Sequence, residues 1–165
     1  MIEHMPLTPF HWSILIFGFL AFSYFYIPAL AISSVVMDLE PFYYMFISPS
    51  GNLHGFFHTY MGATIIALVV GFILIKFRKR IDVVAENLKI RQKNISEKWV
   101  YFSSFFGAYS HIFIDSFMHS DLKPFWPVTN YNPLLGLVGT FEIYLITGIG
   151  LCALAVLYLL QILKK

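Results

Sequence analysis

The chain has 165 residues, enough for a single domain over residues 1–165; 58% of them are hydrophobic and only 12% charged. Soluble domains carry about 25% charged residues, so a soluble fold is excluded and a bilayer is the expected environment. The formal net charge of +2 identifies no partner, no nucleic-acid partner is expected, and the single cysteine, Cys152, rules out a disulfide framework or a cysteine-built zinc site within one chain.

The N-terminus lacks a positive n-region and an A-x-A-like cleavage site, so the first apolar segment is expected to stay in the mature protein. Residues 9–46 are apolar throughout. As one straight helix, His11 to Asp38 would cover roughly 40 Å, more than the hydrocarbon core of about 30 Å. The aromatic run from Phe22 to Tyr26, followed by Pro28, offers a break, because proline is tolerated in the first turn of a new helix and disfavours helix in the residue before it. Two helices, 8–22 and 28–46, joined as a hairpin are therefore expected. Pro, Gly and Asn make 47–52 a loop. Three further spans follow at 60–76, 99–117 and 138–163. The mixed apolar and charged segment 81–93 reads as an amphipathic connector at the membrane surface. A long loop rich in proline and aromatic residues occupies 120–136. The expected fold is all-α, a polytopic integral membrane protein of about five membrane helices.

Eight of the eleven lysines and arginines lie between Lys76 and Lys98, two more are Lys164 and Lys165, and Lys123 stands alone. The positive-inside rule then puts 76–98 and the C-terminus in the cytoplasm, and the loops before 60 and after 117 on the outer face of the cell membrane.

That outer face collects most of the ionisable groups outside the connector. His54 and His58 are four residues apart, as are His111, Asp115 and His119 in turn, and residues i and i+4 share a helix face. Ionisable groups inside a membrane segment cost several kcal/mol unless partnered, and His111 with Asp115 lies well inside an apolar helix. Zinc accepts histidine nitrogen and carboxylate oxygen at about 2.0–2.2 Å. The expected metal ligands are His11, Asp38, His54, His58, His111, Asp115 and His119. The ligand types favour zinc, and their number allows one to three ions. Glu142, at the outer start of the last helix, is in reach of the same face, although an acidic residue also suits a helix N-terminus by itself. His4 is expected to be a terminal bystander.

Four ordered blocks carry a family resemblance: Thr8-Pro9-Phe10-His11, Met37-Asp38-Leu39-Glu40-Pro41, His54-Gly55-Phe56-Phe57-His58-Thr59 and Ser110-His111-Ile112-Phe113-Ile114-Asp115. In these the chain resembles membrane-bound metal-dependent hydrolases of the YdjM-like group. It is more distantly similar to the zinc-dependent phospholipase C fold, whose metal site also draws on an N-terminal-region His, an Asp and an HxxxD helix. The second of the four blocks contains the two candidates for a general base, Glu40 and Asp38. The resemblance implies hydrolysis of a lipid or lipid-linked phosphoester or ester at the outer membrane face, with membrane lipid as the partner that delivers substrate by lateral diffusion. Two other classes compete. One is a metal or proton transport protein using the same residues as a relay. The other is an accessory or structural membrane subunit. The sequence leaves the oligomeric state open.

Overall fold

Seven α-helices and three short 3-10 turns form the regular structure of a computed structural model that describes residues 8–21, 24–48, 52–92 and 94–163, and no strand occurs among these residues. At the centre, α4 (Tyr60–Lys76) and α6 (Glu97–Ser116) pack antiparallel. Near one end Ala63 and Ala67 meet Ala108 and Ile112, and near the other Val70 and Leu74 meet Ile95 and Val100. Small residues on the facing stripes let the two helices approach closely.

Local chemistry fixes where α4 begins. Thr59 has extended backbone, and its Oγ1 accepts from the Gly62 amide at 3.0 Å, an N-cap contact. A Cβ on Gly62 would stand 2.2 Å from the Phe56 carbonyl oxygen, so only glycine lets the preceding turn fold back onto the helix. The loop beyond α6 is fastened to the same end. The Tyr60 amide donates to the Pro124 carbonyl at 2.8 Å, and Asn132 Nδ2 donates to the Ser116 carbonyl at 2.9 Å.

The N-terminal region departs from the expected hairpin of two membrane helices. Residues Thr8–Ile14 form a 3-10 helix leading into the short α1 (Leu15–Leu20). The stretch expected as one helix from 28 to 46 is broken into α2 (Ile27–Ser33), a 3-10 turn at Val36–Asp38 and α3 (Leu39–Phe46). Pro28 does start a helix, as expected. The second break follows Ser33 and Ser34, where Ser34 Oγ turns back to the Ala31 carbonyl at 3.2 Å, the local side-chain competition that ends helices. The turn expected at Phe22 and Ser23 lies outside the described residues, as does His4.

The last helix, α7 (Thr140–Leu163), packs against α1 and the 3-10 helix before it and leaves most of its apolar surface facing outward. Among the described residues α7 is the one helix long and apolar enough to cross a membrane by itself; a second span results if α4 and α5 (Arg78–Asn87), bent by 85° at Phe77, are taken together. Five spans are thus more than helix length and composition bear out. The helices α1 and α2 are too short, and α6 carries serines, His111 and Asp115 along its buried face.

The connector expected at 81–93 is helical from Arg78 to Asn87. It is tied to the N-terminal region, since Tyr26 donates from its hydroxyl to Asp82 at 2.8 Å and the Ile27 amide donates to Gln92 Oε1 at 2.7 Å.

Candidate metal centre

Five separate stretches of chain deliver imidazoles and carboxylates to one end of the α4/α6 pair, the end away from the basic connector. His11 comes from the first 3-10 helix, Asp38 from the turn before α3, His54 and His58 from the segment before α4, His111 and Asp115 from the last turns of α6, and His119 from the turn after it. Every one of the seven candidate ligands is buried. His54 and His58 do not sit on an α-helix as their spacing had implied. His54 lies just before a 3-10 turn, Phe56–His58, that precedes α4, and His58 is the last residue of that turn. The HxxxDxxxH run does keep helical register through its end, because the His119 amide still donates to the Asp115 carbonyl at 3.0 Å.

The side chains form two groups with metal-ligand geometry. His11, Asp38, His111 and Asp115 offer atoms all within 4.8 Å of one another, and so do His54, Asp115 and His119. Ligands at about 2.1 Å around a tetrahedral ion lie about 3.4 Å apart, so each group needs only slight contraction. Asp115 belongs to both groups and is the one carboxylate able to bridge them. His58 sits between, its Nε2 3.2 Å from His111 Nε2 and 4.0 Å from Asp115 Oδ2. The His11 and His111 rings stack at 3.9 Å, and His54 lies 4.3 Å from His119.

Contacts around the cluster set the tautomers. His111 Nδ1 is 2.7 Å from the Ser34 carbonyl oxygen, which can only accept, so Nδ1 carries a proton and Nε2 is the nitrogen turned toward the cluster. Close packing makes that contact possible. A Cβ on Gly107, one turn before His111, would come within 3.0 Å of the Leu30 carbonyl oxygen and of Ser33 Cβ. His58 Nδ1 is 2.8 Å from Glu40 Oε2, and Glu40 also accepts the amides of Gly55, Phe57 and His58, each at 3.1 Å. A carboxylate accepting that many N–H groups is ionised, so His58 Nδ1 donates to it. Burial holds the His58 imidazole down, to about 4, against the pull of Glu40, which keeps it a neutral ligand.

Asp121, absent from the expected set, performs the same service for His54. Its Oδ1 is 2.8 Å from His54 Nδ1, and its Oδ2 accepts the Leu53 and His54 amides at 2.8 and 3.1 Å. Partial burial raises its pKa, but the bonds to His54 outweigh this and hold it below the usual carboxylate range. No spacing rule reaches from residue 121 to residue 54. The signal available was an acidic residue two positions after His119.

The donor set fits a cation. With Nδ1 of both rings turned outward to its own acceptor, the two Nε2 atoms face each other at 3.2 Å, with Asp115 Oδ2 at 3.1 Å and Asp38 Oδ1 at 3.5 Å from His111 Nε2. Asp115 and His11 are buried and find polar partners chiefly within the cluster itself, Asp115 Oδ1 lying 3.4 Å from His11 Nε2 and Oδ2 3.1 Å from His111 Nε2. Crowding this many imidazoles and carboxylates into a buried site costs several kcal/mol, and a shared cation would offset part of that cost. Glu142 is exposed and in neither group, so it does not join the cluster.

An all-helical chain with a buried imidazole and carboxylate cluster capable of holding metal is the class that fold and site define. Within it, the model of the YdjM inner membrane protein family matches residues 20–164, and the chain belongs to that family. No curated protein and no solved structure matches it. The family description supports a membrane protein and says nothing of hydrolysis, zinc or phospholipase C.

Proposed function

We propose that the cluster is a zinc centre of one to three ions, with two sharing Asp115 as the arrangement the donor set favours. The chain is then a membrane-embedded hydrolase of a lipid or lipid-linked phosphoester or ester at the outer face of the inner membrane. The observation that carries this reading is the pair of ligand groups joined through Asp115, with three imidazoles oriented by Ser34, Glu40 and Asp121. Carboxylates and carbonyls behind ligand histidines are the usual outer support of metal sites, and bridged pairs suit displacement at phosphorus. Metal bound there would supply Lewis acidity at the reacting oxygen and make a nearby water acidic.

The residues divide the remaining work. Glu40 was an expected general base, but its oxygens are committed to His58 and three amides, which makes it a positioning residue. Asp38 takes the proton role. Its side chain is 11% exposed against 1% for Asp115, so it is the ligand-group carboxylate nearer to solvent. Water yields its proton to Asp38 as its oxygen bonds to phosphorus or the acyl carbon. The bond to the leaving alkoxide then breaks, and the proton passes to that oxygen. The lysine and arginine distribution supports location at the outer face.

The test pairs metal analysis of the purified protein with a screen of phosphodiester and ester lipids in detergent. Zinc content with turnover that His111→Ala and Asp115→Ala both abolish, by at least 1,000-fold on the scale expected for a lost metal centre, supports the reading. Turnover unchanged in both variants removes it. Metal without turnover points instead to an accessory subunit, and metal or proton flux into liposomes to a transport protein.

A further inference from the structure

Beside His54 a cavity of about 520 Å³ opens between Tyr44, Phe56, Trp126, Asp121 and Lys123. Lys123 is the only lysine or arginine before Lys76 or between Lys98 and Lys164, so among the described residues it is the one lysine or arginine on the site's side of the molecule. Its side chain is exposed, and no ion pair joins it to a carboxylate among the described residues. Asp121, two residues away, is turned to His54 instead. Four carboxylates, Asp38, Glu40, Asp115 and Asp121, surround the histidines and would balance the charge of two divalent ions there, so the centre itself offers an approaching anion little net attraction. A cation held apart from them in the adjoining chamber supplies that attraction where a substrate would enter.

We infer that the chamber is the subsite for the phosphate of an anionic phosphoester, with Lys123 as its specificity-determining cation. This rests on the hydrolase reading for its substrate class, but binding tests it independently of turnover. An ammonium is a point charge with three donors and suits a phosphate of variable orientation. The aromatic walls give the rest of the head group an apolar surface. Tyr44 also walls a second, largely apolar cavity of about 370 Å³ with Met37, Leu39, Tyr43 and Phe57, which suits the chain of a lipid ester. Phosphate could thus come from a lipid head group or from solution.

The experiment is calorimetric titration of the zinc-loaded protein in a non-ionic detergent. The probes are inorganic phosphate, dihexanoylphosphatidylglycerol and the uncharged dihexanoylglycerol. Lys123→Gln should weaken both anionic probes about five- to tenfold, by the loss of one charge-assisted contact. It should leave dihexanoylglycerol binding and zinc content unchanged, and Lys123→Arg should restore the anions. Tighter binding of the phospholipid than of phosphate identifies the lipid source, and equal binding the soluble one; either supports the subsite. Anion affinity unchanged in Lys123→Gln overturns it, and so does a wild-type protein that binds neither anion. A Lys123-dependent anion site without hydrolysis would leave the subsite standing and remove the hydrolase.

Discussion

A carboxylate behind an imidazole fixes the tautomer and makes the opposite nitrogen a better donor. Asp121 and Glu40 stand in that relation to His54 and His58, each at 2.8 Å. Asp121→Asn and Glu40→Gln should therefore retain the ligands yet lower zinc affinity by about 10–100-fold, as read by competition with a chromophoric chelator. Equal affinity in wild type and both variants would separate these carboxylates from the centre. Glu40→Gln should in addition lower stability by about 2–3 kcal/mol, because the ionised group accepts three amides and its side chain is only 8% exposed. Thermal unfolding of metal-stripped protein isolates that part. At this scale the clustering of His54, His58, His111, Asp115 and His119 was legible from four-residue spacings in an apolar chain. The supports were not. Glu40 resembled a free base because a sequence does not show the three amides that consume it, and Asp121 meets His54 only through the fold of the loop after α6.

Among the elements, the contact between α2 and α6 positions the cluster. Gly107 lets α2 come close enough for the Ser34 carbonyl to reach His111 Nδ1 at 2.7 Å. Gly107→Leu places a branched side chain against the Leu30 carbonyl and Ser33. Overpacking of this kind costs about 1–3 kcal/mol, and α2 must move outward to relieve it. The expected outcome is lower thermal stability together with weaker zinc binding. A variant of Gly148, where an added Cβ would meet nothing closer than Phe10 at 3.7 Å, should bind zinc as wild type does. The long helices were legible because α4, α6 and α7 are apolar runs bounded by Thr59, Ser96 and Gly139. The region before residue 47 was not. Its apolar content masks two serines that end α2 and a 3-10 turn that carries Asp38, and a run of apolar residues has no period to show where a helix stops.

For the molecule as a whole, the arrangement of charge defines an axis. The basic segment occupies the Lys76 end of α4 and the cluster lies by its Tyr60 end, about 25 Å away along 17 residues. Charge asymmetry of this kind sets orientation during insertion, with the lysine- and arginine-rich side retained in the cytoplasm. Lys123 does not oppose it, since one cation stands against eight in the connector region. The chain has a single cysteine, Cys152, so a Cys152→Ser background permits single-cysteine mapping. Cysteines at Asn52 and Val128, exposed residues on the cluster's side, should react with a membrane-impermeant thiol reagent in cells whose outer envelope has been permeabilised. A cysteine at Asn87, exposed at the end of the connector helix, should react only after the inner membrane is opened. The reverse pattern would put the cluster in the cytoplasm, and substrate delivery from the outer leaflet would be lost with it. Reaction of all three in intact inner membranes would mean that the α4/α6 pair does not cross the bilayer and that α7 anchors the remainder at its surface.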